Sequence, residues 1–316
     1  MSSVRNYLSL IKFSHTIFAM PFALIGFFLA IAPLWPWYYF PSQVDYYCID
    51  GIDLIYFSNF PKDANELLAR FLLVILCMVF ARSAAMAFNR YLDRNIDALN
   101  PRTAIREVPK GIITPKNALA FTIANCLLFI ICTFFINRIC FFLSPVALAV
   151  VLGYSYTKRF TPFCHFILGL GLSLAPIGAY LAVTGKFHWL PLLFSLAVIF
   201  WVSGFDIIYS LQDEEFDKSQ QLYSMPAWLG KGKALRVSEI LHLLSAACVV
   251  AAGRLGGFHL LYWIGVLLFV SMLVYQHSIV KPHDLRRVNI AFMTSNGIAS
   301  VVFAAFVIAD LFIPYY

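Results

Sequence analysis

Two stretches of the chain carry carboxylates at helical spacing. The first reads Asn89-Arg-Tyr-Leu-Asp93-Arg-Asn-Ile-Asp97, the second Asp206-Ile-Ile-Tyr209-Ser-Leu-Gln-Asp213-Glu-Glu-Phe-Asp217. Residues four apart share a helix face, so Asn89, Asp93 and Asp97 stack along one edge. At roughly 100° per residue, Tyr209, Asp213 and Asp217 fall within about 60° of Asp206, again on one edge. A row of like charges is destabilising by itself, and a carboxylate near the bilayer interior costs about 2.5–3.5 kcal/mol on insertion scales. Such rows call for a cationic partner. Mg²⁺ with a diphosphate meets the requirement, because Mg²⁺ keeps its octahedral shell with one or two carboxylates, several waters and phosphate oxygens. Two acidic edges facing one another across a bundle could hold about two or three such ions around one diphosphate.

The remaining phosphate charge calls for Arg and Lys, and these stand beside both rows: Arg94, Arg102, Arg106 and the pair Lys158-Arg159. Arg offers a planar fork to phosphate and Lys a compact point charge. Together these parts describe a site able to pull a diphosphate off carbon. Plainer readings hold for several residues taken singly. Charges at helix ends are ordinarily solvated determinants of topology, which suffices for Arg102, Arg106 or Lys110 in isolation. His15 suits an interfacial or packed position, and the other histidines lack ligand spacing. Gly169, Gly171 and Gly178, near Pro176, suit close helix packing.

The elements that must position these residues are membrane helices. Of 316 residues, 61% are hydrophobic and 12% charged, with a mean hydropathy of +0.79; soluble domains carry about 25% charged residues. This excludes an ordinary soluble protein and predicts an all-α polytopic membrane protein forming a single domain over 1–316. The net charge of +7 fits basic loops at an anionic bilayer surface, with no nucleic acid as partner. Seven cysteines without a C-x-x-C pair read as small buried hydrophobes, not as disulfides or a zinc site.

Runs of about 20 apolar residues, enough to cross the hydrocarbon, number nine: 15–35, 66–88, 117–136, 139–157, 163–184, 190–211, 235–253, 256–279 and 288–313. Between the third and fourth, only Asn137 and Arg138 interrupt the apolar sequence. The run from Thr16 to Trp35 is longer than the roughly 7–15 apolar residues of a cleavable signal, which makes it the first span. Placing the amino terminus in the cytoplasm puts 17 of the 23 Lys and Arg residues in inner segments, as the positive-inside rule expects. The outer loop from Pro36 to Asn65 is aromatic and acidic, and its Trp and Tyr residues suit an interfacial belt. The halves of the chain echo one another: Asn89–Lys116 follows the second span as Asp206–Lys233 follows the sixth.

These landmarks resemble the UbiA superfamily of intramembrane aromatic prenyltransferases. The resemblance rests on Asn89-xxx-Asp93-xxx-Asp97, Pro101-Arg-Thr-Ala-Ile-Arg106, Tyr154-Ser-Tyr-Thr-Lys158-Arg159-Phe and Asp206-xx-Tyr209-xxx-Asp213-xxx-Asp217, in that order, and covers nearly the whole chain. It implies about nine transmembrane helices around a central cavity, with Mg²⁺ bridging both Asp motifs and the diphosphate of a polyprenyl donor. The carbon–oxygen bond would ionise to an allylic cation, which an electron-rich aromatic ring attacks. Asn89, Asp93, Asp97, Asp206, Asp213 and Asp217 would serve the metal. Lys158, Arg159, Arg94, Arg102 and Arg106, with Tyr154 and Tyr209, would serve the diphosphate. The site loops would lie on the cytoplasmic side of a bacterial plasma membrane. Many members carry Asp directly after the motif's Asn, where this chain has Arg90, which bears on the number of bound ions. The implied acceptor is an aromatic acid, 4-hydroxybenzoate on the way to ubiquinone or a naphthoate on the way to menaquinone. An ion-coupled transporter is the alternative from another class, but it would hold its ionisable groups near the bilayer midplane, whereas these gather at one face.

Overall fold

The computed structural model describes residues 3–11, 18–32 and 61–313; Lys12, His15 and the outer loop as far as residue 60 lie outside them. In chain order the helices are α1 (Ser3–Leu10), α2 (Met20–Ile31), α3 (Ala64–Leu92), α4 (Arg94–Leu99), α5 (Pro115–Ile136), α6 (Arg138–Thr157), α7 (Cys164–Thr184), α8 (Trp189–Ser210), α9 (Glu214–Ser219), α10 (Met225–Leu229), α11 (Lys231–Leu255), α12 (Leu260–Ile279) and α13 (Asn296–Phe312). No strand occurs among the described residues. Eight helical segments there are long and apolar enough to cross a membrane. The remaining predicted span, the first, at 15–35, contains the shorter apolar helix α2.

Local chemistry sets the boundaries. Asp63 accepts a hydrogen bond from the Glu66 amide at 2.8 Å while Glu66 accepts one from Lys62 N–H at 2.9 Å, a reciprocal cap that starts α3. Asn137 separates α5 from α6. Its backbone is extended, and its side chain caps the Cys140 amide and donates to Leu181 O, both within 2.9 Å. The brief polar interruption in the sequence is thus a true helix break, tied to α7.

Helix α2 packs against α7 and α13; α3 packs against α5 and α6; and α7, α8, α11, α12 and α13 continue the bundle in sequence. With lipid as solvent there is little hydrophobic drive between helices, so close packing carries association. A Cβ on Gly26 would lie 2.0 Å from Pro176 O, and one on Gly169 would lie 2.6 Å from Ile199 O. These contacts bring α2 onto α7 and α7 onto α8. The largest buried cluster joins Phe22, Phe194, Trp201, Phe205, Tyr262, Phe269 and Phe303. Many large apolar side chains on the outside, among them Leu127, Phe134, Phe142, Leu243 and Leu267, remain exposed, as a bilayer-facing surface requires.

Two departures from regular α-helix adjust the site. After Ser210 the chain tightens into a 3₁₀ turn, Leu211–Asp213, before α9 begins. Before α13, residues Ile290–Ser295 form a π-helical turn, and Asn296 donates to Ala291 O at 3.1 Å and Phe292 O at 3.0 Å. The Asn296 carbonyl in turn accepts from Trp201 Nε1 at 2.9 Å and Gln276 Nε2 at 2.8 Å. The π turn thereby places Phe292 against Tyr209, ring centroids 4.2 Å apart.

Candidate active site

At the end of the bundle holding the α3–α4 and α8–α9 junctions, a polar cavity of about 280 Å³ is lined by Asn89, Arg90, Arg106, Tyr154, Lys158, Asp206, Tyr209, Asp213 and Asp217. Both predicted edges therefore reach one space, the second through Asp206, Tyr209, Asp213 and Asp217, the first through Asn89 alone. Neither edge is a plain α-helix. The first turns at Asp93, although the Asp93 amide still donates to Asn89 O and the Asp97 amide to Asp93 O. The second passes through the 3₁₀ turn.

Each carboxylate has a partner. Asp93, 1% exposed, receives Lys158 Nζ on Oδ2 at 2.7 Å and Arg159 Nη2 on Oδ1 at 2.8 Å, with Asn89 Nδ2 also on Oδ2 at 3.0 Å. Asp97, 3% exposed, takes Arg106 Nη1 on both oxygens at 2.7 Å. Asp213 pairs with Arg102 through Nε at 3.0 Å and through Nη2, and accepts from Asn100 Nδ2 at 3.2 Å. Arg102 also donates to the Tyr209 hydroxyl at 2.8 Å. Burial works to lower the Arg102 pKa, but the paired Asp213 carboxylate outweighs it and holds the guanidinium above its ordinary value. Asp217 accepts from Ser224 Oγ at 2.8 Å.

The fifth partnership was not legible in the sequence. His165, at the start of α7, lies 2.7 Å through Nδ1 from Asp206 Oδ2, and its Nε2 accepts the Met225 amide at 3.2 Å. With Nε2 accepting, Nδ1 carries the hydrogen and donates to Asp206. His165 thus ties the second acidic edge to α10. Its only sequence signal was a histidine at a helix start, which spacing rules pass over.

The predicted residues sort by position. Asp93 and Asp97 lie behind the wall, held by Lys158, Arg159 and Arg106; Arg102 braces Asp213 and Tyr209. Arg94 is not brought to the cavity: it donates to Tyr91 O at 2.7 Å and stacks over the Tyr91 ring. Two arginines that the spacing argument left aside do reach it, Arg82 and Arg90, both on α3. The buried Nε of each has no hydrogen-bond partner. Arg82 carried a signal, being a charge inside a span.

A second, apolar cavity of about 380 Å³ runs between α3, α5, α6 and α7, lined by residues such as Val74, Met78, Phe129, Ala147 and Ala175. It shares Arg82, Met86, Tyr154, Leu168 and Leu172 with the polar cavity. A charged group and a long apolar chain on one molecule could occupy both. Among the described residues no three Asp, Glu, His or Cys side chains gather into a ready metal cage. The donors that line the cavity are hard oxygens, those of Asp206, Asp213 and Asp217 with Asn89 on the other edge, which fits Mg²⁺ arriving with its own waters and phosphate ligands better than a metal needing a full protein shell.

The UbiA prenyltransferase family model matches residues 60–298. A 4-hydroxybenzoate octaprenyltransferase of Aeromonas salmonicida (strain A449) is 29% identical over 238 residues, covering 75% of this chain and 82% of that protein. One from Nitrosospira multiformis is 28% identical over 237 residues, covering 75% and 81%. The apo structure of a UbiA homolog from Aeropyrum pernix K1 superposes with a TM-score of 0.72 at 27% identity, covering 94% of this chain and 96% of that one. A UbiA homolog from Archaeoglobus fulgidus bound to GPP and Mg²⁺ shares the fold, with a TM-score of 0.70 at 18% identity over 98% and 100% of the two chains. With a family match over most of its length and helices built to span a bilayer, the chain is an integral membrane protein belonging to the UbiA prenyltransferase family.

Proposed function

We propose that the protein transfers a polyprenyl group from polyprenyl diphosphate to an aromatic acid such as 4-hydroxybenzoate, with Mg²⁺, as a step of quinone biosynthesis of the ubiquinone or menaquinone kind. The observation that carries this reading is the junction of the two cavities: an acidic and basic polar pocket opens onto an apolar groove at Arg82, Met86 and Tyr154. The relatives named for 4-hydroxybenzoate and the neighbour holding GPP and Mg²⁺ support the same donor and metal.

In this reading the diphosphate occupies the polar cavity and the polyprenyl tail the groove. Asp206, Asp213 and Asp217 on one side, and Asn89, Asp93 and Asp97 on the other, would hold Mg²⁺, which would supply positive charge to the leaving diphosphate. Lys158 and Arg106 reach the cavity from the wall and take up phosphoryl charge as it develops. Breaking the carbon–oxygen bond sends its electron pair to the diphosphate oxygen and leaves an allylic cation. Tyr154 and Met86 stand at the junction, where an apolar surround keeps water from the cation. Attack by the aromatic ring and loss of the ring proton complete the transfer.

The acceptor's acid group has a candidate partner. Arg82 lies seven residues, about 10 Å along α3, from Asn89 and borders both cavities with its Nε unpaired. A guanidinium so placed matches a carboxylate in a bidentate pair. We place the amino terminus and the site loops on the cytoplasmic face of a bacterial plasma membrane, in keeping with the distribution of basic residues and the bacterial relatives. A radiolabelled transfer assay in membranes carrying the protein tests the reading, with 4-hydroxybenzoate and a naphthoate run in parallel. Label should enter 4-hydroxybenzoate with Mg²⁺ and not with EDTA, and Asp213→Asn should lose at least about a hundred-fold in rate. Labelling of the naphthoate alone would reassign the acceptor, and labelling of neither would sink the proposal.

A further inference from the structure

Arg90 closes the last turn of α3, is 3% exposed, and lines the polar cavity. It makes no hydrogen bond or ion pair with the described residues, and its buried Nε has no acceptor. The neighbouring cations differ in this respect: Lys158 and Arg159 are engaged by Asp93, Arg106 by Asp97 and Arg102 by Asp213. A guanidinium held away from water without a counter-ion is costly, and such groups in native proteins are paired. The carboxylates nearest in charge to Arg90 are Asp97 and Glu107, and both are engaged elsewhere, Asp97 by Arg106 and Glu107 by Ser9. The guanidinium of Arg90 is therefore an anion receptor as built.

The position of Arg90 selects the anion. It borders the polar cavity beside Asn89 and Arg106 but not the apolar groove, whereas Arg82 borders both. A ligand group reaching Arg90 is thus the polar end of the donor. A planar guanidinium suits two oxygens of one phosphoryl group.

We propose that Arg90 binds the donor's diphosphate directly and without metal, so that part of the counter-charge for this ligand is carried by the protein itself. The inference rests on the reading of the polar cavity as the diphosphate site, and adds to it a residue and an order: the diphosphate docks on Arg90 whether or not Mg²⁺ is present.

Titration calorimetry of the full-length protein in detergent, with inorganic pyrophosphate in EDTA, reads this directly. Wild type should bind. Arg90→Gln should weaken that binding about ten- to a hundred-fold, the range of a charge-assisted hydrogen bond, and Arg90→Lys should keep most of it. Gel filtration and helical circular dichroism establish that each variant is folded, with Arg90→Met as a second neutral replacement should the glutamine variant fail. Equal binding by wild type and a folded neutral variant would overturn the proposal. So would a wild type that binds pyrophosphate with Mg²⁺ but not in EDTA. Wild-type prenyl transfer with Mg²⁺, measured on the same preparation, separates the two ideas: its absence counts against the proposed function, while transfer with unchanged pyrophosphate binding in Arg90→Gln counts against Arg90 alone.

Discussion

Asp93 has a cation on each oxygen, and Asp213 shares one guanidinium with the Tyr209 hydroxyl. At this scale the acidic residues are half of a set of ion pairs, and the proposed function requires that a bound metal and diphosphate take over partners that the carboxylates and cations now give one another. The spacing of Asn89, Asp93 and Asp97 and of Asp206, Tyr209, Asp213 and Asp217 was legible because helical periodicity is local. Which cation meets which carboxylate was not, since Arg102 lies 111 residues from Asp213 and Arg159 66 from Asp93. Arg82 yields a prediction that belongs here. Arg82→Gln should raise KM for 4-hydroxybenzoate about ten- to a hundred-fold and leave KM for the prenyl diphosphate near wild type. Equal changes in both would assign Arg82 to general cavity structure.

The helices show where local rules reach and where they stop. The starts of α3, α5 and α6 follow capping residues visible in the sequence, Asp63 with Glu66, Thr114 before Pro115, and Asn137. The 3₁₀ turn after Ser210 and the π turn at Ile290–Ser295 have no comparable signature, because they answer to packing against other helices. The small residues divide in the same way. Of the three glycines expected at close contacts, Gly169 meets α8 at 2.6 Å, Gly171 has only ordinary contact and Gly178 faces open space; the tightest approach is Gly26 on Pro176. Gly26→Ala should therefore lower stability by about 1–3 kcal/mol as α2 is forced off α7, while Gly178→Ala should be near neutral. Thermal unfolding in detergent compares the two, and equal midpoints would remove Gly26 from the α2–α7 contact.

For the whole molecule, the acidic edges, the basic loop from Asn100 to Thr114 and the α9–α10 connection share one end of the bundle. A contact between Ser9 and Glu107 puts α1 there as well. Single cysteines at Lys110 and Lys218, on a background with the native cysteines replaced, should react with a membrane-impermeant maleimide only from the cytoplasmic side. A cysteine at Lys186, beyond the other end of α7, should react only from outside. The opposite pattern would invert the orientation. Composition, apolar runs and basic-residue distribution together determined that this is an all-helical membrane protein with two acidic edges in register, because bilayer thickness and the helical repeat act on contiguous sequence. Tertiary structure alone decided that Asn89 and the second edge line one cavity while Asp93 and Asp97 sit behind its wall, that His165 holds Asp206, that Arg94 turns away, and that Arg82 and Arg90 stand unpaired in the wall. Those outcomes depend on which side chains from distant segments arrive at the same few ångströms, and on the low-dielectric surroundings that make an unpaired charge there costly.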